Sequence, residues 1–201
     1  MNSARKPAIY IVDDDERDRQ AVTELLDGSG YDLRLFANGA AFLAEAEDLR
    51  NACVLLDVRM PDMDGLTLVK RIAEAHPHCR VIMLSGKSTL PVAVEAMKRG
   101  AIDFLEKPVE KDNLLQAIER AFHMRPQNSG DVLTREQLFA KVTRREGQVL
   151  ELLVQGHPNK VVAYKLGITE NTVEVHRQRL MKRLEAKSFA ELVRLAVRAG
   201  I

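Results

Sequence analysis

Val54-Leu55-Leu56-Asp57-Val58-Arg59-Met60-Pro61-Asp62-Met63-Asp64-Gly65 is the stretch that decides the fold. The apolar run from Ala52 to Leu56 has the length and unbroken hydrophobicity of a strand buried on both faces. It delivers Asp57 at its C-terminal end, ahead of a loop punctuated by Pro61 and Gly65. Ligands of an open parallel sheet bind along that edge, so Asp57 is displayed where chemistry is done.

Outward from this strand the same unit repeats. Ile9 to Val12, Tyr31 to Phe36, Val81 to Leu84 and Ile102 to Leu105 are further strand-length apolar runs. Between them, apolar residues at helical spacing (Val22, Leu25 and Leu26; Phe42, Leu43 and Ala46; Leu66, Val69, Ile72 and Ala73) mark amphipathic helices. Pro91 sits in the first turn of a fourth helix that Gly100 ends, and Leu115, Ile118 and Phe122 line the helix that closes the unit. Strict alternation of strand and helix implies right-handed crossovers. The expected fold class is therefore α/β, a five-stranded doubly wound parallel sheet.

The chain has 201 residues, enough for two small domains, and its 46% apolar and 29% charged residues are ordinary for a soluble globular protein. Met1 to Pro7 is polar, and no run reaches the length of a membrane span. Cys53 and Cys79 lack a CxxC spacing, so no disulfide scaffold or zinc knuckle is indicated, which fits a reducing cytoplasm. Net charge is +1, but it is unevenly placed. From Leu138 onward there are 12 Lys and Arg against 6 Asp and Glu; the totals of 30 and 29 leave 18 against 23 before it. An acidic first part joined to a basic second part implies two tasks, the second with a polyanion.

Chemistry converges at the strand ends of the first part. Asp13 and Asp14 follow the first strand, Asp57 ends the third, Ser85 the fourth and Lys107 the fifth, all on one edge of the sheet. Carboxylates held together repel unless a cation lies among them, and Mg2+ fits, since it takes one or two carboxylates and completes its octahedron with water and phosphate oxygens. Lys107 supplies positive charge and Ser85 a hydroxyl donor for a phosphoryl group. Asp57 then reads as the nucleophile. Asp15 reads as a helix cap.

A polar stretch containing Pro126, Asn128, Ser129 and Gly130 reads as a linker. Both Leu133-Thr134-Arg135-Glu136 and Val142-Thr143-Arg144-Arg145-Glu146 carry helix-start signals, and the capping box Thr143-x-x-Glu146 is taken to open the core of the second unit. Asn159 to Leu166, a turn at Gly167, an N-cap at Thr169 and a helix from Glu170 to Leu184 form a helix-turn-helix, and Ser188-x-x-Glu191 caps a final helix. On the longer helix Val173, Leu180 and Leu184 share an inward face, while Asn171, Glu174, Val175, Gln178 and Lys182 fall outward. With Arg177, Arg179, Arg183 and Lys160 around it, this polar strip has the make-up of a major-groove reader of double-stranded DNA.

Asp13-Asp14, Asp57, Ser85 and Lys107-Pro108 resemble the receiver domain of two-component response regulators, a flavodoxin-like fold. Asn159-Lys160-x-x-Ala163, Leu166-Gly167-Ile168-Thr169 and Thr172-Val173-x-x-His176 resemble the LuxR-type helix-turn-helix, an all-α four-helix module. Together they place the chain in the NarL/FixJ family, and Asp103-Phe104-Leu105-Glu106-Lys107-Pro108 and Val173-Glu174-Val175-His176-Arg177 are most similar to its FixJ branch. The resemblance implies a receiver over residues 8–122, a linker over 123–137 and a DNA-binding domain over 138–201. It makes Asp57 the phosphoacceptor, with Asp13, Asp14, Asp57 and the Arg59 backbone carbonyl as Mg2+ ligands. Lys107 binds phosphate, Lys107-Pro108 is cis, and Ser85 and Phe104 form the switch; Lys87 and Arg59 tune phosphoryl lifetime. Thr169 and Thr172 join Lys160, Asn171, Glu174, Val175, Arg177, Gln178, Arg179 and Lys182 as DNA contacts. The implied partners are a sensor histidine kinase, DNA, RNA polymerase and, once phosphorylated, a second copy of the chain. An enzyme with a phosphoaspartate intermediate would carry a second Asp two places after the nucleophile, where this chain has Arg59, so the expectation is a regulator.

Overall fold

A computed structural model describes residues 6–46, 49, 52–86, 90–123 and 133–201. Lys87 and the expected linker apart from His123 and residues 133–137 lie outside them. The order of elements is β1 (Ala8–Val12), α1 (Glu16–Leu25), β2 (Asp32–Phe36), α2 (Gly39–Glu45), β3 (Ala52–Asp57), α3 (Gly65–Ala75), β4 (Arg80–Ser85), α4 (Leu90–Lys98), β5 (Asp103–Glu106) and α5 (Lys111–His123). Five further helices follow: α6 (Arg135–Ala140), α7 (Arg144–Val154), α8 (Asn159–Leu166), α9 (Glu170–Arg183) and α10 (Phe189–Arg198). The described residues fall into two compact units, the first built around the sheet and the second around α6 to α10.

The sheet of the first unit is parallel throughout, in the order β2-β1-β3-β4-β5. Every residue of β3 is buried, as a central strand covered on both faces requires. On one face Ile9, Ile11, Cys53, Leu55, Ile82 and Leu84 pack with Val22 and Leu26 at the end of α1 and with Leu114, Ala117, Ile118 and Ala121 of α5. On the other, the Tyr10 ring stacks on Phe36 and meets the edge of Phe42, while Leu68 and Ile72 of α3 are fully buried. Cys53 and Cys79 are free, buried thiols. Among the described residues no helix is long and apolar enough to cross a membrane.

The second unit has a core of its own, including Leu138, Val149, Leu150, Leu153, Val162, Val173, Leu180 and Leu192. Both candidate helix starts before it are used. Thr134 and Thr143 each form a complete capping box, with Gln137 and Glu146 respectively, so a short fifth helix, α6, precedes the four expected. Residue 138 falls inside α6, and Leu138 is fully buried in the core.

Candidate functional site

Strand order places Asp57 at the middle of the carboxyl edge. β3 lies between β1 and β4, and the chain's winding reverses between β1 and β3, the position where such sheets bind ligands. Val12 pairs with Leu56, so Asp13 and Asp57 both stand at the end of that ladder; Asp57 pairs with Leu84, so Ser85 lies one residue beyond. β5 brings Lys107 to the same edge, where its N–H donates to the Ser85 carbonyl at 2.8 Å. The Lys107–Pro108 bond is cis, as expected.

These side chains meet. Lys107 Nζ donates to Asp13 Oδ2 and Asp57 Oδ1, each at 2.6 Å, and to Asp18 Oδ2 at 2.7 Å. The Arg59 N–H donates to Asp57 Oδ2 at 2.5 Å, and Asp13 Oδ1 accepts from the Asp15 N–H at 3.0 Å. Asp13, Asp57 and Ser85 are buried, whereas Asp14 and Arg59 are exposed at the rim. Asp15 caps α1 by accepting from the Arg17 N–H. Phe104, on β5, is half-buried.

Burial raises the carboxyl of Asp13 above its usual range, and the ammonium of Lys107 only partly offsets it. Burial alone would lower Lys107, but hydrogen bonds to Asp13, Asp18 and Asp57 outweigh it and hold the ammonium above its ordinary value. Three carboxylates against one ammonium leave the cluster two negative charges in excess. Among the described residues no three metal-ligating side chains gather closely enough to hold an ion by themselves; Lys107 bridges Asp13 and Asp57, and Asp14 is exposed. The donor chemistry nevertheless fits Mg2+: hard oxygens, uncompensated negative charge and only one or two carboxylates needed beside water.

The second unit carries a different surface. α8 ends on Gly167, whose φ of 64° lies in the left-handed region that glycine adopts without strain. Thr169 then caps α9, its hydroxyl accepting from the Thr172 N–H at 3.1 Å. Val173 is fully buried while Val175, two residues on, is 36% exposed, which fixes how α9 is rotated. Asn171, Val175, Gln178, Arg179 and Lys182 are exposed on its outer side, and Lys160 and Thr169 are exposed too.

Three charged side chains are held elsewhere. Arg177 turns toward α10, its guanidinium 4.9 Å from the centre of the Phe189 ring, and Arg183 pairs with Glu146 at 3.3 Å. Glu174 accepts from Asn159 Nδ2 at 3.4 Å and pairs with Arg177 at 3.3 Å, tying α8 to α9. Arg177 lies four residues after Val173 and three before Leu180, so the helical period puts it at the border of the inward face, and the sequence signal was there to find. Asp18 is the residue of the first site that sequence reasoning missed.

The chain matches the family described as "Response regulator receiver domain" over residues 9–119 and the one described as "Bacterial regulatory proteins, luxR family" over residues 140–196. It is 40% identical to the transcriptional regulatory protein FixJ of Bradyrhizobium diazoefficiens over 98% of this chain and 97% of that one. It is 39% identical to the tetrathionate response regulatory protein TtrR of Salmonella typhimurium, over 92% and 90%. Among solved structures it is similar to full-length FixJ from B. japonicum, with a TM-score of 0.54, 39% identity and 98% of each chain covered. The response regulator StyR gives a TM-score of 0.55 at 37% identity, covering 96% of this chain and 99% of that one.

Proposed function

The chain belongs to the FixJ-like response regulators, DNA-binding transcription regulators that join a receiver domain to a LuxR-type domain, and on that premise we propose that Asp57 is its phosphoacceptor and α9 its base-reading helix. The observation that carries the first half is the placement of Lys107 Nζ at 2.6 Å from both Asp13 and Asp57. A carboxylate buried at a strand end and hydrogen-bonded to a lysine is oriented as a nucleophile, and the same lysine neutralises the phosphoryl oxygens as they arrive.

An Asp57 carboxylate oxygen attacks the phosphorus of the donor, the bond from phosphorus to the leaving group breaks, and the leaving group departs with its electron pair. Asp13, Asp14, Asp57 and the Arg59 backbone carbonyl would hold Mg2+, which supplies positive charge to the phosphoryl oxygens when bound. The Ser85 hydroxyl then donates to a phosphoryl oxygen, and Phe104 follows it from half-buried to more fully packed. In this reading the donor is a sensor histidine kinase in the cytoplasm, and the phosphorylated chain forms a homodimer, binds double-stranded DNA and engages RNA polymerase.

On α9 the exposed Asn171, Val175 and Gln178 offer an amide, a methyl group and a second amide to base edges, and Thr169, Thr172, Arg179, Lys182 and Lys160 address the phosphates. The phosphoacceptor assignment is tested by incubating the full chain with acetyl phosphate and Mg2+ and measuring intact mass. Wild type gains one phosphoryl mass and Asp57→Asn does not; an equal gain in Asp57→Asn would place the phosphoryl group elsewhere.

A further inference from the structure

We propose that Asp18 is a positioning residue for Lys107: it holds the third N–H of the ammonium in the unphosphorylated chain and yields it to the incoming phosphoryl group, acting as a brake on transfer. The proposal rests on Asp57 being the phosphoacceptor.

An ammonium group has three N–H donors, and Lys107 has three partners at 2.6, 2.7 and 2.6 Å. Its donors are used up. A phosphoryl group on Asp57 adds oxygens that require one of them, so one carboxylate must give up its bond. Asp57 stays beside Lys107 because it is the residue that carries the phosphoryl group, and Asp13, with its side chain 3% exposed, is a buried carboxylate whose bond is costly to give up. The side chain of Asp18 is 44% exposed, and it lines a cleft of about 420 Å3 together with Ala21, Val22, Leu25, Pro108 and Val109, so water can replace its lysine bond. Asp18 is the partner released.

Its aim is set by the start of α1, which is fixed at two points. Asp15 accepts from the Arg17 N–H at 2.8 Å, and Arg19 Nη1 donates to the Asp13 carbonyl at 2.7 Å, so the turn that carries Asp18 is fastened to the end of β1. A carboxylate held there also repels an anionic phosphodonor. Bond release and repulsion have the same sign, and both slow transfer.

The test follows phosphorylation of the full chain by acetyl phosphate with Mg2+ through intact mass over a range of donor concentrations. The Asp57 carboxylate displaces acetate, which leaves with the electron pair of the broken phosphorus–oxygen bond, so no proton or further reactant is needed. Asp18→Asn, nearly isosteric, and Asp18→Ala are expected to raise the limiting rate roughly three- to tenfold. Asp18→Glu restores the carboxylate and stays within about twofold of wild type. A merely structural residue would not sort its variants by charge in this way. Limiting rates of Asp18→Asn and Asp18→Ala less than about twofold above wild type, or an Asp18→Glu rate equal to theirs, would overturn the brake. No mass gain in wild type, or the same gain in Asp57→Asn, would instead overturn the phosphoacceptor reading beneath it.

Discussion

Gly65 lies so close to Asp57 that a β-carbon on Gly65 would stand 2.1 Å from the Asp57 carbonyl oxygen. The contact lets α3 begin directly behind Asp57, with the Gly65 N–H donating to the Val58 carbonyl at 2.9 Å. Gly65→Ala must push backbone against backbone, for which no side chain can give way. Expected is a loss of about 3 kcal/mol or more by urea unfolding, with slower phosphorylation of Asp57. Unchanged stability would mean that the loop from Val58 to Asp64 yields freely.

Asp13 carries a burial cost that Lys107 offsets only in part. Replacing it by Asn removes a buried charge facing Asp57 while keeping an oxygen for the Asp15 N–H. Without divalent cation, Asp13→Asn should melt a few degrees higher than wild type, about 1 kcal/mol. Mg2+ should raise the melting temperature of wild type and leave that of the variant unchanged. A lower melting point with an intact Mg2+ response would show Asp13 to be structural.

Glu146 makes the second unit sensitive to acid. Burial pushes its carboxyl up, but hydrogen bonds from the Thr143 N–H and hydroxyl, at 2.8 and 2.9 Å, and the charges of Arg183 and His176 outweigh it, leaving the carboxyl below its usual value. A folded-state value below the unfolded one means stability that is fully present above the unfolded value of 4.5 and lost as pH falls through the folded one. Glu146→Gln keeps an acceptor for the cap and cannot titrate. Thermal melts of the full chain between about pH 3 and 6 should show a shallower acid loss in the variant; parallel curves would contradict this.

On α9 the exposed strip and the tied residues should separate by phenotype. Against single-base variants of a selected operator, Gln178→Ala should lose about 1 to 3 kcal/mol of discrimination at one base pair. Lys160→Ala should weaken every sequence alike and reduce the salt slope by about one contact. Glu174→Ala, whose carboxylate joins Asn159 to Arg177, should also weaken every sequence alike, by loosening α8 against α9. Loss of discrimination at a single C·G pair would instead make Glu174 a base reader.

Much of the first site is legible in the sequence because its parts fall at strand ends, and strand ends are marked by where apolar runs stop. Asp13, Asp57, Ser85 and Lys107 each follow such a run, and parallel topology carries all four to one edge. Asp18 is not legible in the same way. It sits in the first turn of α1, where an acidic residue is sufficiently explained by the helix dipole, and its bond to Lys107 spans 89 positions. α6 was obscured for a local reason: two capping boxes nine residues apart both lie before apolar residues, and only tertiary contact shows that Leu138 is part of the core. The position of Arg177 at the border of the inward face of α9 is legible from its spacing to Val173 and Leu180, but its partner, the Phe189 ring, lies on another helix and is not.

The central claim is that phosphoryl transfer to Asp57 governs DNA binding by α9. It is tested most directly by the affinity of the full chain for a selected operator, read by fluorescence anisotropy before and after treatment with acetyl phosphate and Mg2+, in wild type and Asp57→Asn. Wild type should gain about tenfold or more in affinity, the size of an ordinary allosteric coupling, and Asp57→Asn should gain nothing. Equal affinity before and after treatment in wild type, or the same gain in both proteins, would contradict it.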